Sequence, residues 1–144
     1  MASEIEGMDS ALRTFKRLER AGQARVMRRA LNAALTPVLK ATRRAAPKGD
    51  EPHKTYKGRT VAPGFMSRNI RKSTKISRDK RRVFGSVKPA PEAWYGSMKE
   101  FGGKRRKYPK DPWFYQAADT AEDASADAYF EKLQASIEAE WNKS

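Results

Sequence analysis

The 144-residue chain contains no cysteine, which excludes disulfides, thiolate zinc sites and cysteine nucleophiles together and suits a reducing compartment. Its single histidine, His53, excludes a multi-histidine metal centre. Long apolar runs are missing as well. No stretch approaches the ~20 residues of a membrane span, and the opening MASEIEGMDS has neither the basic flank nor the apolar run of a secretory signal. No membrane partner is expected. Apolar residues, at 38%, are below average, and a chain of this length buries only about two-thirds of its unfolded surface, so a thin core is expected. Aromatic residues still reach 10%, too many for a wholly disordered polybasic chain. With ~100–200 residues per domain as the usual range, residues 1–144 read as a single domain.

What is abundant is positive charge: 31 Lys and Arg against 17 Asp and Glu, a net +14. It is unevenly placed. Residues 1–50 carry 11 basic and 5 acidic side chains, residues 51–110 carry 18 and 4, and residues 111–144 carry 2 and 8. A strongly basic middle is thus joined to an acidic C-terminal segment.

Periodicity divides the chain further. Ser3 and Glu6 have capping-box spacing, and Met8, Leu12, Phe15 and Leu18 then recur at helical steps, which predicts a short helix over 1–22 ending near Ala21-Gly22. Val26, Ala30, Ala34, Val38, Ala41 and Ala45 predict a long helix over 23–46, with arginines on its opposite side and an irregularity near Pro37. Residues 47–64 hold Pro47, Gly49, Pro52, Gly58, Pro63 and Gly64, and read as a long loop or extended arm. Over 65–110 the pattern turns extended, with strands at 70–76 and 82–87 around the turn Ser77-Arg78-Asp79-Lys80, followed by a basic loop. Over 111–144 a last helix carries Phe114, Ala118, Ala121, Ala126, Phe130, Leu133, Ile137 and Trp141, with Asp119, Glu122 and Asp123 near its start, where they complement the helix dipole. The expected architecture is α+β: a long N-terminal helix and a C-terminal helix packed on a small antiparallel sheet, with an extended loop or arm.

Motifs of catalysis are missing. His53 with Asp50 and Glu51 sits in a Pro- and Gly-rich stretch with no further ligands at useful spacing. Ser67, Ser73 and Ser86 lack the context of a nucleophile elbow. Gly102-Gly103-Lys104 lacks the spacing of a phosphate-binding loop. An enzyme is not expected, and neither a catalytic group, a cofactor nor a metal is assigned. The tract Lys104-Arg105-Arg106-Lys107 has the character of a nucleic-acid patch, but it suits a solvated loop or an acidic protein surface equally, and no recognition helix, zinc-finger spacing or RNP-like aromatic pattern accompanies it. A small basic nucleic-acid-binding protein is the alternative reading. The aromatic clusters Trp94-Tyr95 and Trp113-Phe114-Tyr115 suit either core packing or an oligomer interface.

The order of these signals is similar to one known family. Ala45-Ala46-Pro47 closing an alanine-rich helix, Gly64-Phe65-Met66-Ser67-Arg68-Asn69-Ile70, a strand pair ending at Val87, Trp94-Tyr95 before Glu100-Phe101-Gly102, and Pro112-Trp113-Phe114-Tyr115-Gln116-Ala117-Ala118 opening a helix resemble the tailed-phage neck or tail-completion family of siphophage type, the head–tail joining proteins. The family's aromatic residue and Glu-Phe-Gly are matched by Tyr95, Glu100, Phe101 and Gly102. Its Pro-Phe-x-x-x-Ala helix start is approximated by Pro112, Phe114 and Ala118, with Trp113 inserted. The resemblance spans about residues 23–140. Departures lie in the long 47–64 segment and in Gly103, which replaces the usual small hydroxyl residue after Glu-Phe-Gly.

The resemblance implies a structural virion protein of the phage neck or tail, assembled in the host cytoplasm as a homo-oligomeric, six-fold ring. Its partners would be head-connector or head-closure proteins on one side and tail-terminator or tail-tube proteins on the other, with non-specific contact to packaged DNA. Rings need heterologous contacts, one face of a subunit against a different face of the next, and the charge split offers a basis for them. Glu100, Gly102, Lys104, Arg105, Arg106, Lys107 and Tyr108 in the basic loop, with His53, Tyr56, Lys57 and Arg59 in the 47–64 arm, are the expected interface residues. Trp94, Tyr95, Phe101 and Phe114 are the expected core aromatics.

Overall fold

A computed structural model of the chain describes residues 2–47, 52–54, 57–90 and 113–143. The fold is mixed α and β, with a long N-terminal helical region, a C-terminal helix and a small antiparallel sheet, as the periodicities predict. Helix α1 spans Ala2–Arg17 and α2 spans Arg20–Ala45; short strands β1 (His53–Lys54) and β2 (Thr60–Val61) follow, then the single turn α3 (Phe65–Arg68), strands β3 (Ile70–Ile76) and β4 (Val83–Pro89), and helices α4 (Trp113–Thr120) and α5 (Glu122–Lys143).

Several boundaries differ from expectation. The first helix begins at Ala2, which places Ser3 inside it rather than at its cap, and it ends at Arg17. The break falls at Leu18-Glu19, not at Ala21-Gly22. At the break the Phe15 carbonyl accepts twice, from the Leu18 amide at 3.1 Å and from the Gln23 side-chain amide at 3.0 Å, so the last turn of α1 tightens and is tied to the first turn of α2. Gly22 lies buried within α2. Helix α2 runs continuously through Pro37. The expected terminal helix is two helices, α4 and α5, separated at Ala121.

The segment 47–64, expected to lack structure of its own, contains a two-residue antiparallel ladder pairing His53 with Val61 and Lys54 with Thr60. Val61 is buried, and this apolar anchor is what the Pro and Gly content of the segment conceals.

Strands β3 and β4 form the expected hairpin. Backbone bonds from Ser77 to the Arg82 carbonyl, 3.0 Å, and from Ala90 to the Asn69 carbonyl, 2.7 Å, fix an antiparallel register that also brings the Ser73 and Ser86 hydroxyls within 3.1 Å. The turn is closed by its own side chains. The Ser77 hydroxyl donates to Asp79 Oδ1 at 2.6 Å, and the Arg81 amide donates to the same oxygen at 3.0 Å. These bonds stabilise the ionised carboxylate and lower the Asp79 pKa, the Ser77 bond chiefly. Lys80 accepts a left-handed φ of 61° to complete the turn.

The chain forms two compact units, Met1–Thr36 with Ser73–Ser86 and Asp123–Ser144, and Pro37–Lys72 with Val87–Glu122. Each has its own core. In the first, Leu18, Val26, Ala30, Leu133 and Ile137 are buried, with Met8, Ala11, Phe15 and Tyr129 packed around them. Alanine at positions 24, 30 and 34 of α2 leaves room for close approach. The Ser125 hydroxyl accordingly reaches the Ala34 carbonyl at 2.8 Å. In the second unit, Ala46, Val61, Phe65, Met66, Ile70 and Trp113 form the core, flanked by Leu39, Val87 and Phe114.

Gly64 opens α3 at φ 83°, a left-handed conformation that costs other residues about 1–2 kcal/mol. One helical turn is too short to persist alone. Burial of Phe65 and Met66, each contributing ~1.5–3 kcal/mol, supplies what local propensity does not, and Ser67 ties the turn to the Arg43 carbonyl at 2.6 Å. Arg43 in turn donates to the Ile70 carbonyl at 3.0 and 2.8 Å.

The apolar face of α5 is rotated from its expected position. Leu133, Ser136, Ile137 and Glu140 are buried, whereas Phe130 and Trp141 are 52% and 38% exposed. Trp141 is covered on one side by the Arg17 guanidinium, 4.9 Å from its ring centre. In α4 the buried residues are Trp113 and Ala117. Phe114, one of the aromatics expected in the core and at its edge, packs at the edge.

Candidate functional site

The first unit contains a polar cluster built on α2. Arg25, Arg28, Arg29 and Asn32 are spaced i, i+3, i+4, i+7 and therefore share one helical face. Together with Thr74 of β3 they line a cleft of about 350 Å³. Helix α5 supplies a carboxylate to two of the arginines. Glu140 Oε1 accepts hydrogen bonds from Arg25 Nε, at 3.0 Å, and from Arg25 Nη2. Glu140 Oε2 accepts from Arg29 Nη1 at 3.2 Å.

Burial of the ions is unequal. The Glu140 side chain is only 5% exposed, against 52% for Arg25 and 34% for Arg29. Hydrogen bonding from Arg25 holds the Glu140 carboxyl below the usual carboxylate range, overcoming the burial that pushes it up. The same bond raises Arg25 above its ordinary value. Arg28 takes no part in the pair. Its Nε donates to Thr74 Oγ1 at 3.2 Å, and among the described residues its Nη groups have no partner.

Two guanidiniums thus share one buried carboxylate, and a third, Arg28, stands beside them on the same helical face. The spacing of Arg25, Arg28 and Arg29 was visible as a basic face opposite the alanine stripe, but the cleft was not. Glu140 carried a readable signal: it lies three residues after Ile137 and seven after Leu133, where a helical stripe continues inward. Phe130 and Trp141 drew attention away from it because large aromatics usually mark the buried face.

The expected interface residues fall differently. Lys57 and Arg59 are exposed, with the Arg59 guanidinium 5.8 Å from the Phe65 ring centre. His53 is placed by backbone pairing in β1. Tyr56, Glu100, Gly102, Lys104, Arg105, Arg106, Lys107 and Tyr108 lie outside the described residues, as do Trp94, Tyr95 and Phe101. Among the described residues no group of three His, Cys, Asp or Glu could hold a metal ion, and no helix is long and apolar enough to cross a membrane. Comparison with protein-family models, curated proteins and solved structures finds no match for this chain.

Proposed function

We propose that the chain is a structural component of the tailed-phage neck or tail-completion type, acting by assembly into a ring at the head–tail junction and not by catalysis. The observation that carries this reading is the segregation of charge onto different elements. The β3–β4 hairpin exposes Arg71, Lys75, Arg78, Lys80, Arg81, Arg82 and Lys88, whereas α5 exposes Glu122, Asp123, Asp127, Glu131 and Glu138. Heterologous ring contacts require two different, complementary surfaces on each subunit, and oppositely charged surfaces favour correct encounter over like-with-like pairing. The order in which the sequence resembles that family, an alanine-rich helix, the Gly64–Ile70 segment, a strand pair and a helix start near Trp113, also supports the reading.

On this reading the ring is six-fold, lies in the virion, and meets head-closure proteins on one side and tail-terminator or tail-tube proteins on the other. Native mass measurement on the purified full-length chain tests it. A discrete closed oligomer, dissociating as salt screens the charges over a Debye length of about 8–10 Å, is expected. A chain that stays monomeric at every concentration and salt would overturn the reading, as would sequence-selective DNA binding by the monomer, which belongs to the alternative of a small basic nucleic-acid-binding protein.

A further inference from the structure

We propose that the α2 cleft lined by Arg25, Arg28, Arg29, Asn32 and Thr74 is a binding site for the phosphate groups of a nucleic-acid backbone. The chemistry of the lining selects this ligand. Two of its three guanidiniums share the buried Glu140 carboxylate and Arg28 pairs with none, so the cleft retains excess positive charge even with Glu19 also acting on Arg25. Glu140 does not neutralise the site so much as orient it, since its two oxygens hold Arg25 and Arg29 in fixed directions on adjoining turns of α2.

Arg28 is steadied through Nε by Thr74 and presents its remaining donors, the geometry in which arginine binds a phosphate through two parallel hydrogen bonds. The hydroxyl of Thr74 and the amide of Asn32 complete a wall of polar groups.

The same lining argues against an acidic protein segment. Protein interfaces close around apolar and aromatic residues at their centre, and none lines this cleft. It also lacks an aromatic platform on which a free base could stack. A ligand recognised through its phosphates alone is therefore favoured. The surroundings agree, because in the same unit the hairpin exposes Lys75, Arg78, Lys80, Arg81 and Arg82, while its one acidic residue, Asp79, is engaged by Ser77 and the Arg81 amide.

This inference does not rest on ring formation: binding by a chain that never assembles would leave it standing. Any protein of charge +14 binds DNA loosely, so the test must separate a built site from general attraction. Fluorescence anisotropy with a labelled 20-base-pair duplex, run on the full chain, compares Arg28→Ala, Arg28→Lys, Asn32→Asp and Lys80→Ala, each checked for an unchanged thermal transition. Arg28→Ala and Asn32→Asp are expected to weaken binding tenfold or more. Arg28→Lys should fail to restore it, Lys80→Ala should change it less than threefold, and two unrelated sequences should bind equally.

In the unsubstituted protein, inorganic phosphate should shift the Arg28 Nε–H resonance saturably. Full rescue by lysine, equal losses at Arg28 and Lys80, a marked sequence preference, or competition by polyglutamate as effective as by unlabelled DNA would each overturn the proposal. Asn32→Asp keeps the test decisive if an Arg28 variant fails to fold.

Discussion

Glu140 shows how much one residue can organise. Its carboxylate is buried and held by two partly exposed arginines. Removing one partner of a fully buried pair costs about 3–5 kcal/mol, but Arg25 and Arg29 can rehydrate, so Glu140→Gln is expected to cost less, about 1–2 kcal/mol, measurable by denaturant titration. The pH dependence has a defined sign. Because the folded carboxyl titrates below its ordinary value, its contribution is complete above the unfolded pKa of about 4.3 and is lost as pH falls through the lower folded value. Melting temperature recorded against pH should fall on the acid side, and less steeply in Glu140→Gln. Ser136 makes the opposite case. Its hydroxyl is buried without a partner among the described residues, so Ser136→Ala should leave stability unchanged or raise it by up to about 1 kcal/mol, which the same titration would show.

At the scale of elements, the hairpin is secured at both its body and its turn. Gly85 lies so close to α2 that an added methyl would come within 2.9 Å of Leu31 Cγ and Cδ2 and 3.0 Å of Leu35 Cδ1. Gly85→Ala is therefore expected to destabilise by about 1–3 kcal/mol, the usual cost of overpacking, seen as a lower denaturation midpoint. At the turn, Asp79→Ala removes the acceptor shared by the Ser77 hydroxyl and the Arg81 amide. Faster amide hydrogen exchange at Arg81 and Arg82, with little change in α2, would show that the carboxylate closes the turn locally. Burial alternates along β3: Ile70 is buried and Lys72, Thr74 and Ile76 are half-buried, between exposed Arg71, Ser73 and Lys75. In the sequence that alternation is imperfect, and the clearer signal is the Val and Phe spacing over 82–87; there Val83 and Phe84 are neighbours and face opposite ways, and Phe84 is 51% exposed.

For the whole molecule, the proposed assembly makes a demand on α5. Phe130 is 52% exposed between the exposed acids Asp127 and Glu131, a large apolar side chain inside the surface assigned to a neighbour's basic hairpin. Phe130→Ser should shift the native mass distribution toward the monomer and leave the monomer's melting temperature within about 1 °C, since a half-exposed side chain contributes little to the fold. Unchanged assembly would remove α5 from the proposed contact.

Local spacing alone was enough for the long helices, the hairpin with its turn and the polarity of charge, because each follows from local spacing and local backbone preference. The tertiary structure decided what spacing leaves open. Val61 became core because a two-residue ladder brings it there. Trp113 was buried in preference to Phe114, and Leu133, Ser136, Ile137 and Glu140 were turned inward in place of Phe130 and Trp141. A helix offers several overlapping faces whose hydrophobicity differs by only a few kcal/mol, and the partner chosen from a distant segment selects among them. For α5 that partner is α2, whose buried alanines allow close approach and whose arginines stabilise a carboxylate where the period alone would place an apolar residue.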